Sequence, residues 1–87
     1  MKHPTDAPRL QVIARAPFKV YYEGPAQSVS ADNRVGQFDI LPGHADFFSV
    51  LNPGDIQIIT DAEPVRFPIS SGIITVRDNE VLLFVNM

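Results

Sequence analysis

This sequence holds two histidines, His3 and His44, and the carboxylates Asp39 and Asp46 lie near His44. Imidazole near carboxylates can ligate a divalent metal, but such a site needs several convergent ligands. His3 lies close to the start, and no spacing around His44 gathers a shared coordination sphere. A Ser-His-Asp set can be written from Ser49, His44 and Asp46. It lacks a nucleophile elbow and a glycine-rich loop leading into a helix to hold an oxyanion. Val35-Gly36-Gln37 and Ser71-Gly72 lack the spacing and the lysine of a phosphate loop. These residues therefore predict no catalytic, metal or cofactor site. His44 reads as a turn residue that finishes a corner or touches a partner.

The elements around it read as short strands. Prolines and glycines recur at short intervals, and runs rich in Val, Ile, Phe and Tyr lie between them. That spacing predicts an all-β fold, a two-sheet antiparallel β-sandwich of about ten short strands. No stretch holds a helical period. Residues 1–9 are expected as a flexible tail and 10–87 as a single domain. Leu10, Val12 and Ala14 share one face of the first strand. Phe18, Val20 and Tyr22 alternate with Lys19, Tyr21 and Glu23, which predicts a half-buried strand ended by a turn at Gly24-Pro25. Further strand-like runs cover residues 27–32, 35–41, 47–51, 55–60, 65–70, 73–77 and 80–85, of which 27–32, 55–60 and 65–70 alternate.

Turn chemistry is explicit at three further places. Pro42-Gly43 suits the centre of a type II turn, because proline fixes φ and glycine accepts a positive φ. Asn52-Pro53-Gly54 predicts a second turn of that kind. Asp78-Asn79 suits a tight hairpin. Pro68 cannot donate to a ladder, so its strand is expected at a sheet edge or with a bulge. Glu80 to Val85 is nearly continuous apolar and predicts a central strand. In the pairs Tyr21-Tyr22 and Phe47-Phe48 one ring should face the core and the other outward. An outward ring is a candidate interface anchor.

Composition narrows the function classes. With 87 residues the chain is long enough for one domain, and 45% hydrophobic content supports one core. It contains no cysteine, which excludes a disulfide scaffold and a thiolate zinc site. Net charge is −3 without a basic cluster, so the footprint of nucleic-acid binding is missing. No apolar run approaches the ~20 residues that cross a bilayer. The start does not read as a secretory signal. A soluble, unexported protein without direct membrane insertion is expected.

The stretch Gly36-Gln37-Phe38-Asp39-Ile40-Leu41-Pro42-Gly43-His44-Ala45, followed by Leu51-Asn52-Pro53-Gly54, resembles the centre of the ε subunit of F-type ATP synthases. Tyr22-Glu23-Gly24, Ser71-Gly72-Ile73 and Asn79-Glu80-Val81 fall where that family places its aromatic-x-Gly, Ser-Gly-Gly and last hairpin. The resemblance spans about Leu10 to Val85 and implies the N-terminal β-sandwich domain of that subunit. It implies a non-catalytic central-stalk rotor component that joins the γ subunit to the membrane c ring and couples proton or sodium transport to ATP synthesis. It implies no cofactor. The implied location is peripheral, on the cytoplasmic face of the bacterial inner membrane.

By the same carry-over Gln37, Asp39 and His44 are c-ring candidates and Ser49 is a γ candidate, while Pro42, Gly43, Pro53 and Gly54 shape turns. Gln37 stands where relatives often carry glutamate, Asp39 where glycine is common, and Asp46 where proline is common. Most bacterial relatives continue into a regulatory helical hairpin. The sequence ends at Met87, so inhibition and nucleotide sensing are not carried over. The alternative reading is a free-standing β-sandwich adaptor or ligand-binding module without catalysis.

Overall fold

The alternating runs fold as nine strands within residues 8–87, which are the residues this computed structural model describes. His3 and nearly all of the expected tail at 1–9 lie outside them. The strands are β1 (Leu10–Ala16), β2 (Lys19–Ala26), β3 (Ser28–Asn33), β4 (Gly36–Ile40), β5 (Phe47–Leu51), β6 (Gly54–Ile59), β7 (Val65–Ile69), β8 (Ser71–Arg77) and β9 (Glu80–Asn86). They form a five-stranded sheet in the order β2-β1-β9-β8-β5 and a four-stranded sheet in the order β4-β3-β6-β7. Every pairing is antiparallel except β1 with β9, which run parallel with Val12 opposite Val81. Parallel neighbours cannot be joined by a hairpin, and here the rest of the domain connects them.

Period-two rows build the core. Leu10, Val12 and Ala14 of β1 lie beside Val81, Leu83 and Val85 of β9 and Ile74 and Val76 of β8, all buried. The opposing sheet contributes rows from Val29, Ala31, Ile56, Ile58, Phe67 and Ile69. Each fully buried aliphatic side chain contributes about 1.5–3 kcal/mol gross, most of it offset by the entropy of ordering the chain. β9, flanked by β1 and β8, is the central strand that its apolar run predicts. β7, with Pro68 opposite Asp55, is an edge.

Aromatic pairs close the two open sides of the sandwich. Tyr21 of β2 stacks on Phe67 of β7 with ring centroids 4.7 Å apart. On the other side Phe38 of β4 meets Phe47 of β5 at 5.3 Å.

Four local expectations are corrected. Gly24-Pro25 does not turn the chain: both lie inside β2, opposite Val12 and Gln11. β2 is an edge strand, where a residue without an N–H is tolerated. The chain instead switches sheets at Gln27, whose N–H donates to the Ile59 carbonyl at 2.6 Å. Phe18 does not point inward; it stands in the β1–β2 turn, fully exposed. Tyr21 and Tyr22 do not divide between core and solvent, and both pack against the core. The register shifts there from Ala14 opposite Tyr22 to Arg15 opposite Val20, leaving Tyr21 as the extra residue of a bulge. A bulge breaks the alternation and re-aims one side chain. Finally, Gly54 has φ 159° and opens β6, so Pro53-Gly54 is not a type II turn. The Asn52 N–H is tied instead to the Asp32 carbonyl at 2.9 Å.

Candidate docking surfaces

Strand pairing brings six apolar residues onto the outer face of the five-stranded sheet. Phe48 and Val50 of β5 lie opposite Thr75 and Ile73 of β8. Ile73 and Thr75 lie opposite Phe84 and Leu82 of β9, and Leu82 lies opposite Ile13 of β1. Phe48 and Val50 are each 63% exposed and Phe84 is 45% exposed. The outer face of the other sheet is polar. Ser30, Asp32, Gln37, Asp55, Gln57 and Arg66 line a groove there. Arg66 donates to Asp55 at 2.7 Å, and the Ser30 hydroxyl donates to Asp39 at 2.6 Å. One flank of the sandwich is therefore apolar and the other polar.

Ser49 points to the inner side of β5. Its hydroxyl accepts from Asn33 Nδ2 at 3.2 Å, bridging the two sheets, and donates to the Val50 carbonyl at 3.1 Å. Its neighbours Phe48 and Val50 hold the outward positions. Period two on one strand produces this exchange of roles.

His44 sits in the corner between β4 and β5. Pro42 and Gly43 form the centre of that corner. Gly43 has φ 86°, and the His44 N–H donates to the Leu41 carbonyl at 3.1 Å. The imidazole is half-buried, edge-on to Phe47 at 5.5 Å. Its Nδ1 lies 2.8 Å from the Ala45 carbonyl, which can only accept, so Nδ1 carries the proton. Gly43, His44 and Asp46 share a shallow surface hollow with Asp78 and Asn79 of the β8–β9 turn. Gln37 lies elsewhere: it is one residue from the start of β4, whereas His44 lies beyond its end. The structure thus brings Gln37 and Asp39 onto one sheet face and places His44 at a separate corner. Among the described residues, no group of three or more His, Asp or Glu could hold a metal ion.

A polar clamp marks the end where β3 begins. Asp61 accepts from Arg9 Nη2 at 2.7 Å and from Gln27 Nε2 at 2.9 Å. The hydrogen bond from Arg9, and after it that from Gln27, holds the Asp61 carboxyl below the ordinary carboxylate range. Burial, with the nearby Asp61 charge as a smaller cause, raises the Tyr22 phenol. Its hydroxyl donates to the Pro25 carbonyl.

The outer apolar face was legible in part. The outward member of Phe47-Phe48 is Phe48. Ile73, Leu82 and Phe84 were missed as surface residues. The signal was present: a strand apolar on both faces, like β9, is covered on both faces.

Among the described residues the chain is a two-sheet β-sandwich without a helix, with one apolar outer face. The chain belongs to the family described as ATP synthase, Delta/Epsilon chain, beta-sandwich domain, whose model matches residues 9–87. It is 36% identical over 77 residues to the ATP synthase epsilon chain of Synechococcus elongatus, covering 88% of this chain and 56% of that one. It is 35% identical over 76 residues to the epsilon chain of Clostridium novyi, covering 86% and 56%. The chain spans about half the length of the curated relatives it matches. A mitochondrial ATP synthase central stalk/c-ring structure from Tetrahymena thermophila shares the fold with a TM-score of 0.80 at 22% identity, covering 90% of this chain and 63% of that one. A mitochondrial ATP synthase structure from Euglena gracilis (OSCP/F1/c-ring) shares it with a TM-score of 0.82 at 17% identity, covering 91% and 51%.

Proposed function

We propose that this domain is the rotor-coupling part of an ATP synthase epsilon-type subunit, joining the γ subunit to the c ring in the central stalk. Its role is mechanical and non-catalytic: a rigid sandwich passes ring rotation, driven by protons or sodium ions, to γ. The observation that carries the reading, within this family, is the apolar outer face of the five-stranded sheet. Exposed apolar patches of this kind mark protein interfaces. We assign that face to γ, with Phe48 and Val50 as anchors and Ser49 as the residue that stiffens the strand beneath them. Gln37 and Asp39 on the polar face, and His44 at the corner, are the c-ring candidates. Because they lie on separate surfaces, they are to be tested separately. The location that follows is peripheral, on the cytoplasmic face of a bacterial inner membrane, held there by partners.

The test is co-elution on a sizing column with γ of the same organism, then with γ plus detergent-solubilised c ring. A stoichiometric complex that survives dilution supports the rotor role. Elution as a lone small domain in both runs overturns it for this chain and favours a free-standing adaptor.

A further inference from the structure

The outer face of the five-stranded sheet is not uniform. Over β5, β8 and β9 it carries Phe48, Val50, Ile73 and Phe84, with no charge among them. Over β1 it sinks into an open hollow of about 880 Å³. Ile13 of β1 and Leu82 of β9, opposite each other in the ladder and both half-buried, form an apolar floor. Gln11 flanks that floor, and Glu23, Glu80 and Arg77 rim it.

Pairing sets the order of these charges. β1 lies between β2 and β9. Glu23 stands opposite Ile13 on β2, and Glu80 stands opposite Gln11 on β9. The two carboxylates therefore flank β1 from either side, and both residues are exposed. Among the described residues neither forms an ion pair, whereas Asp55 and Asp61 each hold an arginine at 2.7 Å. Arg77, opposite Glu80 in the β8–β9 hairpin, pairs with Asp78 at 4.0 Å.

An apolar floor between two carboxylates matches one kind of side chain. Lysine and arginine lay an apolar stem along apolar surface and keep a cationic head in a polar setting. A neutral apolar side chain would cover the floor and leave both carboxylates without a counter-charge. An acidic one would be repelled.

We propose that the hollow receives a lysine or arginine of the partner that covers Phe48 and Val50, its stem on Ile13 and Leu82 and its head between Glu23 and Glu80. The proposal rests on the assignment of this face to γ and adds the chemistry that γ must present there. Strand spacing puts β1 roughly 14 Å from β5 across the sheet, two to three turns of a helix laid across the strands. The matching partner surface is apolar at one end and basic at the other. Charge then fixes which way round it sits, because complementary charge sets register and encounter rate more than affinity.

The test is the rate at which γ of the same organism captures the domain, at low and at high ionic strength. Glu23→Gln combined with Glu80→Gln should slow association about tenfold at low salt. At high salt the rate should approach that of the unchanged domain, because exposed charges are screened. The melting temperature should stay within a few degrees. Glu63→Gln, in the β6–β7 connection, removes a carboxylate away from this face and should leave the rate unchanged. An unchanged rate in the double variant overturns the proposal and leaves the γ assignment standing. Slowing by Glu63→Gln equal to that of Glu23→Gln alone assigns the effect to net charge and overturns it as well. A domain that γ does not capture in any form overturns the assignment of the face, and this proposal with it.

Discussion

The Asn79 side-chain oxygen accepts a hydrogen bond at 2.7 Å from the backbone N–H of Gly43, thirty-six residues away in sequence. Asn79 is also one of two residues with positive φ in the β8–β9 turn, at 64°, beside Asp78 at 50°. That pair of angles belongs to a type I′ hairpin turn, which asparagine tolerates. The Asn79 carbonyl accepts from the Gln11 N–H at 2.8 Å. One residue therefore fixes a hairpin, the Pro42-Gly43 corner and the start of β1.

Asn79→Ala should lose the bond to Gly43 and also force alanine into a positive φ. The expected cost is about 1–2 kcal/mol in urea unfolding. Asn79→Gly loses the bond but not the conformation, and should cost less. Equal losses for the two would show that the backbone angle contributes nothing.

Gly72 allows β8 and β9 to approach. A Cβ there would lie 2.8 Å from the Phe84 carbonyl oxygen, a backbone atom that cannot rotate away. Gly72→Ala should destabilise the domain by about 1–3 kcal/mol through overpacking. Gly43→Ala meets open space but adopts φ 86°, so its cost should be conformational and near 1 kcal/mol. Thermal unfolding of both variants ranks the two effects.

Outward and inward residues of β5 should separate binding from stability. Phe48→Ser and Val50→Ser remove exposed apolar surface and should leave the melting temperature within a few degrees. Under the proposed assignment each should weaken capture of γ about tenfold or more, as expected for interface anchors. Ser49→Ala removes the bridge to Asn33, so it should cost roughly 1 kcal/mol of stability and leave γ capture unchanged. Loss of capture in Ser49→Ala alone would move the interface off the outer face.

The Arg9–Asp61 pair makes a signed prediction for acid stability. The Asp61 carboxyl titrates below its ordinary value of 3.8, first because Arg9 donates to it and then because Gln27 does. The folded state thus holds the carboxylate more tightly than the unfolded chain does. That stabilisation is present above the ordinary value and is lost as pH falls through the lowered one. Asp61→Asn should flatten the fall in melting temperature below about pH 4, and high salt should weaken the effect because the pair is solvent-accessible. An unchanged acid limb in Asp61→Asn would assign it to other carboxylates.

What the sequence by itself determined was local. Alternation at Leu10, Val12 and Ala14 set a core row, because neighbouring strand side chains point to opposite faces. Pro42-Gly43 set a corner through proline's fixed φ and glycine's access to 86°. Pro68 marked an edge because it has no N–H to give. Only the tertiary structure decided what depends on pairing between distant segments. A bulge opposite Ala14 and Arg15 turned Tyr21 as well as Tyr22 toward the core. β2 became an edge, so Gly24-Pro25 could continue a strand. Pairing of β5 with β8, and of β8 with β9, assembled Phe48, Val50, Ile73 and Phe84 into one face. The length of β4 separated Gln37 from His44, and the pairing of β2 and β9 with β1 put Glu23 and Glu80 on either side of one hollow. Periodicity and turn chemistry act over a few residues. Which faces meet, which stay open and which charges share a face are set by the register of strands far apart in the chain.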